Sequence, residues 1–320
     1  MLHKNILLLL VTFCCTALYA QQESQYTQFM HNKIMFNPAY AGHGGATSIS
    51  LLHRQQWMGF EQAPQSQLLS VHAPFFIENV GWGLTVSRQS AGILNRWTVS
   101  LPYSYEVKLG DDHALKMGVQ ASLRHFGLNF ADLSVVATDA NDPVIAEGGQ
   151  GRILGNAGAG VFWNYGSFYA GLSVPHIFSG DFDLSDQPRD IVARQVAHVY
   201  FMGGASLDVS ETISLQPNIM IKGTQAAPLG IDVNLNVMFS QRFITGVSYR
   251  SGGDAFAESV DLLFFYRVTE AFSLGAAYDI SIGPLSSYNN GSFEVMLQFN
   301  VGGSGSATSP KNGSAPPRVF

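Results

Sequence analysis

Apolar and polar residues alternate along much of this chain, and that alternation leaves few folds open. Between Ile231 and Ser240, Ile231, Val233, Leu235, Val237 and Phe239 share one face of an extended strand, while Asp232, Asn234, Asn236 and Ser240 share the other. From His113 to Phe126, Leu115, Met117, Val119, Ala121 and Leu123 oppose Lys116, Gln120, Ser122 and Arg124. Near the end, Phe293, Val295, Leu297 and Phe299 oppose Ser292, Glu294, Gln298 and Asn300. In water, one such face needs a second sheet or helices to cover it, and no amphipathic helical segment of useful length is present. Charged residues are 12% of the chain, against roughly 25% in soluble domains. No internal run reaches the ~18 consecutive apolar residues of a membrane helix. A chain too apolar for water and too interrupted for membrane helices is expected to be all-β, a transmembrane antiparallel β-barrel of about fourteen strands.

Comparable stretches place strands near 46–53, 66–74, 80–88, 96–108, 113–127, 152–164, 167–175, 195–207, 212–222, 230–240, 243–251, 258–267, 272–280 and 291–301. Taken in order, the odd-numbered connections are long: 54–65, 89–95, 128–151, 176–194, 223–229, 252–257 and 281–290. The even ones are mostly tight, as at Gly110–Asp112, Tyr165–Gly166 and Gln241–Arg242. Outer-membrane barrels alternate short periplasmic turns with longer outer loops in this way. Trp57, Trp82, Trp97, Trp163, Tyr105, Tyr169 and Tyr266 stand near strand ends, as interfacial girdles require, although ordinary sheet packing would place them there too. Arg88, Arg124, Lys222, Asp232 and Arg250 read as inward charges of a polar lumen.

Residues 1–20 read as a signal peptide, with Lys4 at the start, an apolar core from Ile6 to Leu18, and Ala17 to Ala20 as a small-residue end. Both cysteines, Cys14 and Cys15, fall inside it, so the processed chain is expected to have no disulfide, thiolate metal site or cysteine nucleophile. Residues 302–320, rich in Gly, Ser and Pro, are expected to form a disordered tail behind a barrel of 46–301. A net charge of −6 with no basic run argues against a nucleic-acid partner.

Residues 21–45 do not alternate. They contain Gln25-Tyr26-Thr27-Gln28-Phe29-Met30 and then Asn37-Pro38-Ala39-Tyr40-Ala41-Gly42, where Asn-Pro and Ala-Gly favour turns. A plug-like segment in the barrel would bury Tyr26, Phe29, Phe36 and Tyr40; a periplasmic clamp sealing the first strand is the alternative. The Asn37–Gly42 motif resembles the start of the PorP/SprF family, outer-membrane proteins of the type IX secretion and gliding machinery of Bacteroidetes. His53-Arg54-Gln55-Gln56-Trp57-Met58-Gly59-Phe60-Glu61-Gln62-Ala63-Pro64 resembles that family's YRxQWxGFxxAP stretch, departing from it at His53. Val80-Gly81-Trp82-Gly83-Leu84 and Gly291 to Leu297 resemble its third and last strands.

The resemblance implies a non-enzymatic outer-membrane role with outer-membrane lipid around it. It also implies work with other type IX components in secretion or surface attachment of large adhesin-like cargo, engaged through the cargo's C-terminal domain. In the first loop, Trp57, Phe60 and Pro64, with Arg54 beside them, are candidates for partner contact, or for a loop that braces the barrel. The competing function is a FadL-like transporter of hydrophobic small molecules, a family that also has fourteen strands and an Asn-Pro-Ala-bearing plug. No cofactor is expected. His31, His43, His53, His72, His113, His125, His176 and His198 show no metal-ligand spacing. His125 or His198 near serines could imitate a hydrolase pair, and Asp132, Asp139 and Asp142 could hold Ca²⁺ in an outer loop, but neither pattern is specific.

Overall fold

Each strand of this protein has two solvents to satisfy, and the backbone closes so that every strand satisfies both. The computed structural model describes residues 23–128, 150–183, 192–225, 228–251 and 258–302. The expected signal peptide, the tail beyond Gly302, and Asp132, Asp139 and Asp142 lie outside the described residues. Fourteen antiparallel staves form one barrel. They are β1 (Thr47–Gln55), β2 (Gln65–Pro74), β3 (Val80–Ala91), β4 (Leu94–Gly110), β5 (His113–Leu128), β6 (Gln150–Tyr165) and β7 (Phe168–Val174). There follow β8 (His198–Ala205, continued by Leu207–Asp208), β9 (Ile213–Thr224), β10 (Gly230–Phe239), β11 (Phe243–Ser251), β12 (Ser259–Arg267), β13 (Phe272–Ser281) and β14 (Ser292–Val301).

Closure is by β1 on β14, in register from Thr47 opposite Val301 to Gln55 opposite Phe293. Both ends of the barrel sequence therefore lie at the rim that carries the tight turns. Following paired residues once around returns to the same strand about fourteen residues further along, a stagger that tilts the strands by about 35°. At that tilt, nine to eleven residues rise about 24–30 Å, enough to cross the apolar layer.

The outer face is apolar and bare: Leu101 is 58% exposed, Val119 59% and Leu123 60%. The inner face carries buried Ser, Asn, Gln and charge, Ser70, Ser100, Ser122, Asn234, Asn236, Asp261 and Glu294 among them, beside buried Phe162, Met202, Met220, Phe265 and Met296. Such a distribution is stable only with lipid outside. No helix among the described residues is long and apolar enough to cross a membrane; the strands make the crossing.

Four expectations need correction. The connection expected over 89–95 is a tight turn, because Gln89 and Ser90 stay in register with Arg96 and Asn95 and only Gly92 and Ile93 separate β3 from β4. Arg88 faces outward on the parity of Trp82 and Val86, its guanidinium 5.8 Å from the Trp97 ring, where it reaches toward the interface instead of the lumen. Tyr169 faces inward and is 3% exposed, stacked on Phe162 with its hydroxyl donating to Asn218 Oδ1 at 2.7 Å, so it belongs to the interior and not to a girdle. Between β7 and β8, where only loop was expected, Gly180–Asp183 and Val192–Gln195 pair as a small hairpin.

Candidate functional site

Residues 23–46 run through the lumen from the loop-side rim to the turn-side rim before entering β1. They make four single 3-10 turns, at Phe29–His31, Lys33–Met35, Pro38–Tyr40 and His43–Gly45. Tyr26, Phe29, Phe36 and Tyr40 are all buried, as the aromatic content of this segment predicts. At the loop side, Glu23 pairs with Arg124 at 2.6 Å and Arg96 at 3.1 Å. Burial alone would raise the Glu23 carboxyl, but these guanidiniums, Arg124 foremost, hold it well below the usual carboxylate range.

Next, the backbone N–H groups of Thr27 and Gln28 donate to the Glu294 carboxylate at 3.0 and 2.9 Å, and the Thr27 hydroxyl donates to Asp279 Oδ1 at 2.7 Å. Arg54 donates to Thr27 Oγ1 at 3.0 Å and forms ion pairs with Asp279 and Glu294. Arg250 extends the network to Asp232 at 3.1 Å, and Lys222 closes it on Asp232 at 2.8 Å. One end of the segment is thus tied to β1, β13 and β14.

The rest of the segment is tied to β2 and, further on, to β4, β5, β6 and β7. Asn32 donates to Ser70 Oγ at 3.0 Å, Ser173 donates to the Phe36 carbonyl at 2.8 Å, and Ser104 and Lys116 both donate to the Ala41 carbonyl, at 2.8 and 2.9 Å. Asn37 accepts from Ala39 N–H at 3.0 Å, capping the Pro38 turn, and donates to the Val161 carbonyl at 2.9 Å. A row of glycines makes room for this contact. A Cβ at Gly118 would overlap the Ala39 backbone, one at Gly160 would overlap the Asn37 side chain, and one at Gly81 would overlap Ala41. Gly42, at φ +64, turns the chain away where any side chain would strike Gly81 and Ala73. The Asn37–Gly42 motif is therefore a docking surface cut to fit β3, β5 and β6.

Lys33 is sealed in this interior, donating to the Met30 carbonyl at 2.6 Å with its ammonium 4.7 Å from the Tyr169 ring. Burial brings its pKa down to about 7. Burial, reinforced by Lys33, brings that of His31 down to about 3, so this imidazole is neutral. Cavities remain on both sides of the segment. One of about 30 Å³ lies at the loop side among Glu23, Arg124, His176 and His198. One of about 1220 Å³ lies at the turn side, floored by His31, Tyr40, His43 and His72.

The residues proposed from the first loop separate into two groups. Arg54 is 3% exposed and faces the lumen, inside the ion network and away from the loop surface. Trp57 and Pro64 are half-buried, and Phe60 is 40% exposed. The loop is braced: Gln56 N–H donates to the Pro64 carbonyl at 2.9 Å, and Met58 and Asn290 exchange backbone bonds across to the β13–β14 loop, Met58 N–H to Gly291 O at 2.8 Å and Asn290 N–H to Met58 O at 2.7 Å. Phe60 stands on this joined platform with Tyr288, which is 71% exposed. Sequence reasoning missed Thr27, Asp279 and Glu294; inward parity was the advance signal for Asp279 and Glu294, and Thr27, in the segment that does not alternate, had none.

Among solved structures, the chain is similar to the CymD monoaromatic hydrocarbon channel, with 11% identity over 86% of this chain and 92% of that one and a TM-score of 0.48. It is likewise similar to the toluene transporter TbuX of Ralstonia pickettii, with 9% identity, 83% and 92% coverage and a TM-score of 0.48. Against the KdgM porin the identity is 12%, the coverage 79% and 98%, and the TM-score 0.36. At these identities the likeness is one of barrel architecture alone. No curated protein matches the sequence. The model of one family, however, described as type IX secretion system membrane protein PorP/SprF, matches residues 18–299, nearly the whole barrel and its lumenal segment, and the chain belongs to that family of the outer membrane.

Proposed function

We propose that this protein is a non-enzymatic docking component of the type IX machinery that supports secretion or surface attachment of large adhesin-like proteins, engaging their C-terminal domains at its loop side and other secretion components alongside. Residues 1–20 act as its export signal, and residues 23–46 act as a plug. The observation that carries this reading is the lumen crossed by the protein's own chain, anchored to opposite walls at Glu294 and Val161. A barrel closed in this way acts through its surfaces. The braced platform of Trp57, Phe60 and Pro64 offers a fixed apolar contact, with Arg54 supporting β1 beneath it. A FadL-like hydrophobe channel would call for an open apolar path, whereas the buried apolar side chains of the inner wall, Phe162, Met202 and Phe265 among them, pack on the lumenal segment and stand beside Ser, Asn, Gln and charged groups.

Deleting the gene is expected to remove one or a few large proteins from the cell surface while small-solute uptake stays intact. Unchanged surface proteins together with reduced uptake of hydrophobic compounds would support the channel instead. Trp57→Ala combined with Phe60→Ala is expected to lower partner pull-down at least tenfold at unchanged barrel abundance, corresponding to about 1.4 kcal/mol or more. Equal pull-down by the assembled double variant would remove the platform from the mechanism.

A further inference from the structure

The outward side chains of β1 to β5 change character in three steps as the strands approach the loop-side rim. The cross-strand row Leu51, Leu69, Val86, Val99 and Leu123 is wholly apolar. One row nearer the rim stand His53, Gln67, Arg88, Trp97 and His125. The row after that, Gln55, Gln65, Ser90, Asn95 and Gly127, has no apolar side chain larger than hydrogen. All three rows lie on the face that meets lipid, on the parity of Trp82 and Leu101. Acyl chains suit the first row and water the last, so the middle row lies at headgroup level. With the tight turns toward the periplasm, that level belongs to the outer leaflet.

The middle row is more than an aromatic girdle. It carries one guanidinium and two imidazoles, and no carboxylate stands in any of the three rows. Across the barrel, the loop-side outward row Val233, Tyr249, Val260 and Ile280 has no cation. Arg88 lies 5.8 Å from the Trp97 ring and donates to Asn95 Oδ1 at 3.5 Å, so both of these partners are neutral and its charge is left for another group. At this depth the group that matches a guanidinium is phosphate, which accepts two parallel N–H bonds. His53, where Gln67 Nε2 donates to Nδ1 at 3.4 Å, and His125 each stand two strands from Arg88, about 10 Å to either side. A headgroup as broad as a sugar spans that distance, and the amides of the row above face its hydroxyls.

We propose that β1 to β5 form a binding site for a phosphorylated glycolipid of the outer leaflet. Its phosphate sits on Arg88 between His53 and His125, its sugar hydroxyls on Gln55, Gln65 and Asn95, and its acyl chains along the row from Leu51 to Leu123.

Native mass spectrometry of the full chain in detergent tests this, with diphosphoryl lipid A and its dephosphorylated form as probes. The phosphorylated probe is expected to bind at least tenfold more tightly. Arg88→Gln, an outward change whose assembly is checked by heat-modified gel migration, is expected to remove that difference. Arg242→Gln, in the tight turn between β10 and β11 at the opposite rim, is expected to keep it. Inorganic phosphate at a thousandfold excess is expected to leave the lipid bound, since the apolar row holds the acyl chains. Equal binding of the two probes by the wild-type chain would overturn the proposal, as would equal loss in the two variants, which would mean attraction by overall charge. Displacement by inorganic phosphate would mean a plain anion site and would equally overturn it.

Discussion

Asn37→Asp should uncouple the lumenal segment from the wall in a way that pH reverses. The Asn37 amide has one orientation available: its oxygen caps Ala39 N–H at 3.0 Å and its nitrogen donates to the Val161 carbonyl at 2.9 Å. An aspartate keeps the cap but sets a second oxygen against Val161 O, and the site is 0% exposed. It can restore the lost bond only by carrying a proton. Holding a carboxyl of ordinary pKa ~3.9 protonated at pH 7.5 costs about 5 kcal/mol, and at pH 5 about 1.5 kcal/mol. The docked segment keeps a proton that the released segment gives up, so docking of this variant strengthens as pH falls and weakens as it rises. Asn37→Ala loses both bonds and leaves Val161 O and Ala39 N unpaired, a cost of about 2–4 kcal/mol that does not depend on pH. The aspartate should therefore be the worse variant at pH 7.5 and the better one at pH 5. Amide exchange at Ala39 and Tyr40 in nanodiscs, corrected for the intrinsic rate and taken relative to wild type at each pH, measures this directly. Relative protection of Asn37→Asp should rise about 300-fold between pH 7.5 and 5, since each 1.4 kcal/mol is tenfold. A flat ratio, or wild-type protection at pH 7.5, would refute the assignment of Asn37 as the wall contact.

Three further outcomes follow from the same interior. Arg54→Met leaves Glu294 without its guanidinium partner and Asp279 with Arg250 alone, and should destabilise the assembled barrel by about 3 kcal/mol, read as a lower temperature of heat-modified gel migration, with Glu294→Gln restoring part of the loss. Gly118→Leu places a side chain on the Ala39 backbone and should turn a silent barrel into a conducting one in planar bilayers; an unchanged current with residues 38–41 shown to be released would mean that the segment does not block the lumen. Lys33 has a pKa of about 7 when docked, against ~10.4 when free, so docking favours the neutral amine and should weaken by about 1.4 kcal/mol per unit as pH falls from ~10 to 7. Lys33→Met should abolish that slope in the exchange of residues 29–36 between pH 9 and 7.5.

Strand parity carried most of the fold. Where alternation was unbroken, as in Ile231–Phe239, the face assignments stand residue by residue, with Asp232, Asn234 and Asn236 all buried inside. Where parity was not applied, placements failed. Arg54 shares the parity of Ser48 and Ser50, and Tyr169 that of Gly171 and Ser173, so both belonged inside on evidence present in the sequence. The partners of Arg54 were a different matter. Asp279 and Glu294 come to it only because β1 closes on β14, and no local pattern encodes that pairing.

The lumenal segment shows where local reading reaches its limit and how it can be extended. Asn37–Gly42 stood out because it refused to alternate, yet plug and clamp remained equally open. The residues that bear on that choice are the inward glycines of β3, β5 and β6, for a chain that sealed only the rim would have no use for recesses in the middle of the wall. Gly118 and Gly160 stand in such recesses, filled by Ala39 and Asn37 backbone and side-chain atoms. Glycine weakens a strand and leaves nothing to pack, so several of them on the lumen parity of neighbouring staves ask for something else to occupy the space. A leader with turns, aromatics and no alternation is the part of this chain with the shape to do so.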